Sequence, residues 1–102
     1  MFYSVKARYI PSKLNELRQR LNDGFIAKQK PDGQEIVSSM HRARITEPGI
    51  VQWSEMCFCA TPLQHERETV YDHFFSEMEI NPLNGYIEFD GEPFMDFLAK
   101  QV

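Results

Sequence analysis

The sequence predicts an α+β domain: a small sheet with helices layered on one face, ferredoxin-like or a dimeric α/β-barrel-like variant of it. Three observations predict it. Segments that alternate polar and apolar residues with period two interleave with segments whose apolar residues recur at helical spacing. The interleaving runs strand, helix, a short strand, helix, strand, helix, strand, helix, and helices between strands of one sheet pack as a layer against it. Finally, 102 residues are too few to divide between two useful cores, so residues 1–102 form a single domain.

The first strand is "FYSVKARYI", with Tyr3, Val5, Ala7 and Tyr9 on one side and Phe2, Ser4, Lys6 and Arg8 on the other. Pro11 stops it. Ser12 caps a helix with the stripe Leu14, Leu17, Leu21, and Asp23-Gly24 ends that helix, since glycine tolerates a left-handed conformation. Phe25 to Gln29 reads as a short edge strand. Asp32 to Ile45 admits two readings. As a strand, Pro31-Asp32-Gly33 would be a hairpin turn; as a helix, Asp32 caps and Glu35 completes a capping box. Ile36, Val37, Met40 and Ala43 follow helical spacing, whereas strand alternation would set Ile36, Ser38, Met40, Arg42 and Arg44 on one poor core face. Helix is preferred; the β-branched pair Ile36-Val37 speaks for strand.

Glu47-Pro48-Gly49 is a turn. "IVQWSEMCFC" is rich in strand formers, with Val51, Trp53 and Cys57 on one face and Ile50, Met56 and Phe58 on the other. Apolar residues on both faces suit a central strand, or one covered by a second subunit. Thr61, Pro62 and Gln64 then supply a cap, a first-turn proline and a capping-box partner for a helix over 62–78. Its buried stripe is Leu63, Val70, Phe74 and Met78, widened by Tyr71 and Phe75. "NPLNG" breaks the chain, "YIEFD" alternates as a last strand, and Pro93 opens a short helix with Phe94, Phe97 and Leu98 on its apolar face.

Composition narrows the function. The net charge of −4 argues against nucleic-acid binding, which needs a basic face to displace counterions. No apolar run approaches the ~20 residues of a membrane span, and "MFYSVKARYIP" is too polar for a signal peptide, so the expected place is the cytoplasm. Size and style are those of a small bacterial cytosolic protein. Two cysteines, Cys57 and Cys59, suit a reducing compartment. Two residues apart on a strand, their Cα atoms would be about 6.7 Å from each other, at the far limit for a disulfide.

The stretch from Trp53 to Phe75 concentrates the chemistry: both cysteines and two of the three histidines. Cys57 and Cys59 point the same way on a strand, but the single-residue gap between them, and the wide gap between His65 and His73, depart from common zinc spacings. They read as small buried hydrophobes, and no metal is expected. Cys59, two residues before the Thr61 cap, is the candidate reactive thiol, because a helix N-terminus lowers a thiol pKa. On the helix, a histidine beside a carboxylate is a general-base device, which makes His65, Glu66, Asp72 and His73 the acid–base candidates. Arg42 and Arg44, with Lys6 and Arg8 as helpers, form a candidate anion clamp, and Trp53 and Tyr71 are the aromatic ligand contacts. No Ser-His-Asp order, Rossmann fingerprint or Walker sequence is present, so no cofactor is expected.

Two functions follow. The first is a homodimeric binding or interaction module without a cofactor. The dimer is expected because the two-faced strand at Ile50–Cys59 asks for a second cover and paired copies are the commonest assembly. The alternative is a small cofactorless enzyme, or a binder of a small anionic ligand, using a His/carboxylate pair on the helix over 62–78.

Overall fold

The computed structural model describes residues 1–101 of the chain. It is α+β. Five strands make one open antiparallel sheet in the order β4-β1-β3-β2-β5: β1 Phe2–Tyr9, β2 Arg44–Glu47, β3 Ile50–Met56, β4 Phe75–Leu83 and β5 Glu92–Pro93. The alternation in β1 sorts its faces as expected. Tyr3, Val5 and Ala7 are buried and stand opposite Glu55, Trp53 and Val51 of β3, the middle strand. These residues and the apolar stripes of the helices form one core. No helix among the described residues is long and apolar enough to cross a membrane.

Helix α1 (Leu14–Asn22) buries Leu14, Leu17 and Leu21, the stripe read from the sequence. Helix α2 (Gly33–Arg42) buries Ile36 and Met40, so helical spacing prevails over the β-branched pair. It stops short of Ile45, because Ala43 is extended and Arg44 and Ile45 already pair with β3. Asp32 stands at its N-cap position, yet its side chain makes no cap hydrogen bond.

Three sequence expectations are corrected. Phe25 to Gln29 is a series of turns rather than a strand. Local bonds from the Lys28 N–H to the Gly24 oxygen, from Gln29 to Ile26 and from Gly33 to Gln29 wind the segment up, and only Ile26 is fully buried. The helix expected over 62–78 spans 64–74, with a π-helical stretch Arg67–Tyr71 between short α turns, and Phe75 begins β4. Backbone pairing with the free edge of β1 satisfies the inward-facing donors and acceptors of 75–83 outside a bulge. Pro82 is tolerated there because β4 is an edge strand. "YIEFD" forms no strand. It crosses the back of the sheet, where the Ser54 hydroxyl donates to the Ile87 oxygen at 2.8 Å and accepts from the Ile87 N–H at 3.1 Å.

Candidate functional site

Chemistry converges where β3 ends. Strand alternation carries the core face from Val51 and Trp53 through Glu55 to Cys57, so a carboxylate and a thiol enter the interior beside a tryptophan. After Cys59 the chain turns tightly into the helix. Leu63, fully buried, takes a left-handed conformation (φ 57°) directly before Gln64. Glu66 then falls in the first helical turn, three residues after Leu63 and four before Val70, and shares their buried side. Its Oε1 lies 3.6 Å from Cys57 Sγ and 3.3 Å from Cys59 Sγ. The Cys59 N–H donates to Cys57 Sγ at 3.1 Å, and the Cys57 N–H is anchored on the Met1 oxygen at 2.8 Å. Both cysteines are free thiols.

A second pair joins from the start of α2. Both oxygens of Asp32 lie on His65 Nδ1, at 3.0 and 2.9 Å. A carboxylate on one ring nitrogen fixes the orientation of an imidazole. Glu66 is the shared member: ligand atoms of Cys57, Cys59 and Glu66 lie within 4.8 Å of one another, and so do those of Asp32, His65 and Glu66. All of these except His65 line a pocket of about 350 Å³. Its lining combines three carboxylates (Asp32, Glu35, Glu66), the two thiols, and apolar Pro31, Met56 and Phe58. Phe58 is 85% exposed and forms the rim.

Burial governs the electrostatics. The Cys57 thiol is pushed up to about 12, first by burial and then by its hydrogen bonds with Cys59 and Glu66; the backbone N–H groups of Cys59 and Leu63 pull the other way. Glu66 is wholly buried, and its Oε2 has no hydrogen-bond partner among the described residues. Behind the pocket lies Glu55, also wholly buried. Its Oε1 accepts from Trp53 Nε1 at 2.9 Å and from the Tyr71 hydroxyl at 2.5 Å, and its Oε2 is partnerless. Burial is the main force that raises Glu55 to about 8; the two donors oppose it, and the charges of Glu66 and Glu35 add to it. Burial, followed by Glu55, likewise raises the Tyr71 phenol.

The structure therefore separates the sequence candidates. His65, Glu66, Cys57 and Cys59 come together. Asp72 and His73 lie on the outer side of the helix, tied to Arg67 (3.0 Å) and Glu16 (3.1 Å). Trp53 and Tyr71 lie in the core and reach Glu55 rather than the pocket. Arg42 binds inward. Its Nε and Nη2 donate to the Ser54 oxygen and its Nη2 to Glu35 and Ser39, while its guanidinium sits 4.1 Å from the centre of the Tyr86 ring. Arg44 donates to the Gly91 oxygen at 3.1 Å.

Sequence reasoning passed over Asp32, Glu35 and Glu55 as site residues. Glu55 had a signal, since it shares parity with Trp53 and Cys57. Asp32 and Glu35 fit a helix cap so well that the cap absorbed them. In the fold Glu35 accepts from the Met56 N–H at 2.9 Å and from Arg42 and Tyr86 instead. The contact between Asp32 and His65 joins residues 33 apart and leaves no local pattern. No family model, curated protein or solved structure matches the chain, so the geometry of this pocket is the basis for a functional reading.

Proposed function

We propose that the protein is a small binding module whose site is the pocket at the end of β3, and that its ligand carries positive charge. The carrying observation is the pocket's charge pattern. Three carboxylates meet in a largely apolar pocket, no lysine or arginine among the described residues lines it, and one carboxylate oxygen is buried without a partner. A buried acceptor left unpaired costs about 1–3 kcal/mol, more when charged, and a cationic donor seated against Glu66 Oε2 would recover it. An anionic ligand would need Arg42 or Arg44, whose guanidiniums are engaged by Glu35 and by backbone oxygens. The volume sits at the small end of the range for small-molecule sites.

The reading belongs to a ferredoxin-like plan, supported by the run β4-β1-β3-β2 with helical crossovers after β1 and β3; β5 and the C-terminal helix Phe94–Ala99 are additions to it. It also keeps the homodimer. Four exposed apolar side chains, Met1, Phe58, Tyr86 and Ile87, gather at the end of the sheet where β1 begins and β3 ends. A cytoplasmic setting is supported by the free thiols. Acid–base catalysis has one observation in its favour, the Asp32–His65 pair beside Glu66.

The test is a thermal-shift panel of small amines and guanidines against small carboxylates at matched ionic strength. Cations should raise the melting temperature and Glu66→Gln should abolish the rise. A response to carboxylates alone overturns the reading.

A further inference from the structure

We propose that the pocket holds a thiophilic divalent cation, Zn²⁺ foremost, coordinated by Cys57 Sγ, Cys59 Sγ and Glu66, with the fourth position open towards the pocket and the Asp32–His65 pair. The inference rests on the reading of the pocket as a cation site and gives that cation an identity.

The first support is metric. Tetrahedral zinc with bonds of about 2.3 Å to sulfur and about 2.0 Å to oxygen sets a sulfur and an oxygen donor about 3.5 Å apart. The two thiols stand 3.6 and 3.3 Å from Glu66 Oε1, so both sulfur–oxygen spacings match that value.

The second is the state of Glu66. It is 0% exposed, its Oε2 is partnerless, and its Oε1 meets only the two thiols. Thiols are weak donors, and a buried carboxylate is costly when it is not well compensated. Nothing in a plain hydrophobic packing of two cysteines calls for an acid between them. A divalent ion supplies the missing positive charge.

The third is the surround. Ligand atoms are held in place by partners beyond them. The Cys59 N–H donates to Cys57 Sγ, the Cys57 backbone is fixed on Met1, and Asp32 orients His65 beside Glu66. Two sulfurs select zinc over magnesium or calcium, which prefer all-oxygen shells. Three protein donors with a vacant fourth is the pattern of zinc sites that meet an outside ligand rather than of closed structural ones. Coordination converts each thiol to thiolate, and its proton passes to solvent, up to two per ion.

The experiment uses the full chain without an affinity tag, reduced and stripped of metal. Zn²⁺ is titrated in competition with a chromophoric chelator, and Co²⁺ is added separately as a spectroscopic probe. The expected result is one ion per chain, a thiolate-to-cobalt charge-transfer band with tetrahedral visible bands, and at least a tenfold rise in Kd for Cys59→Ser and for Glu66→Gln. His73→Ala, on the outer side of the helix, should leave Kd unchanged. The wild-type cobalt spectrum stands whether or not a variant folds. A missing charge-transfer band, or Zn²⁺ affinity indifferent to both Cys59→Ser and Glu66→Gln, overturns the site. If Zn²⁺ fails while organic cations still raise the melting temperature, the metal inference falls and the cation-pocket reading stands; if both fail, both fall.

Discussion

Glu55→Gln should make the protein more stable at neutral pH, although it removes a native side chain from the core. Glu55 is fully buried and its pKa is raised from 4.5 to about 8. The folded state therefore keeps it protonated at pH 7, where the unfolded chain ionises it. A folded-state pKa above the unfolded value means that stability is fully present below the unfolded value and is lost as pH rises through the folded one. Between 4.5 and neutrality lie roughly 2.5 units of pH, each worth about 1.4 kcal/mol, so Glu55 costs about 3 kcal/mol at pH 7. That is a large share of the roughly 5–15 kcal/mol that holds a domain together. Glutamine is the neutral isostere. Its oxygen still accepts from Trp53 and Tyr71, while its extra N–H, in the place of the partnerless Oε2, costs about 1 kcal/mol.

The net gain expected from Glu55→Gln is thus about 2 kcal/mol at pH 7, with a loss of about 1 kcal/mol near pH 4.5. The assay is urea unfolding of both proteins from pH 4.5 to 8.5, with chelator present so that no bound ion enters the comparison. Groups remote from Glu55 titrate alike in the two proteins, so the difference between the curves reports Glu55 together with the carboxylates whose charges act on it, Glu66 and Glu35. Its sign should reverse within this range. Parallel curves would refute the account, because they would mean that Glu55 is ionised in the folded protein as it is in the unfolded one.

Gly33→Ala should destabilise by more than about 2 kcal/mol in the same assay, since overpacking against rigid groups is costly. A Cβ there collides with the Ile26 carbonyl oxygen and stands 2.9 Å from that of Ala27, both backbone atoms with little room to give. Arg42→Ala should cost about 2–4 kcal/mol, because it leaves the Ser54 oxygen without its two guanidinium donors and Glu35 without its cationic partner, and uncovers the Tyr86 ring. Proteolysis at 84–90 should quicken in that variant, since Tyr86 leans on the same guanidinium; an unchanged cleavage rate would separate the two.

Much of the fold was legible because it depends on face sorting. The alternation of Tyr3, Val5 and Ala7 and the stripe Leu14, Leu17, Leu21 each report which side a residue occupies, and burial follows them. Tertiary pairing was not legible. "SEMEI" after Phe75 alternates Glu77 and Glu79 against Met78 and Ile80, as a strand should, but Phe74 and Met78 also lie at helical spacing from Val70. The free edge of β1 decides between them, and no local window contains that edge. The site divides in the same way. Glu66 was among the acid–base candidates, yet it occupies the buried stripe between Leu63 and Val70, where polarity argues against placing an acid; Glu55, passed over, breaks the polarity rule in the same way.

The turn into the helix shows why packing, rather than backbone preference, sets the geometry at the thiols. Thr61, Pro62 and Gln64 carry the pattern of a helix starting at 62, but the regular turns begin at Gln64, after a left-handed Leu63. A left-handed residue with a side chain costs about 1–2 kcal/mol, and glycine would remove that strain. Leucine persists because its side chain is fully buried in the core, where truncating it costs about 2–5 kcal/mol. Burial of the side chain outweighs the backbone strain, so the strained turn is retained. It is this turn that delays the helix until Glu66 arrives over the end of β3 with both cysteines at its Oε1.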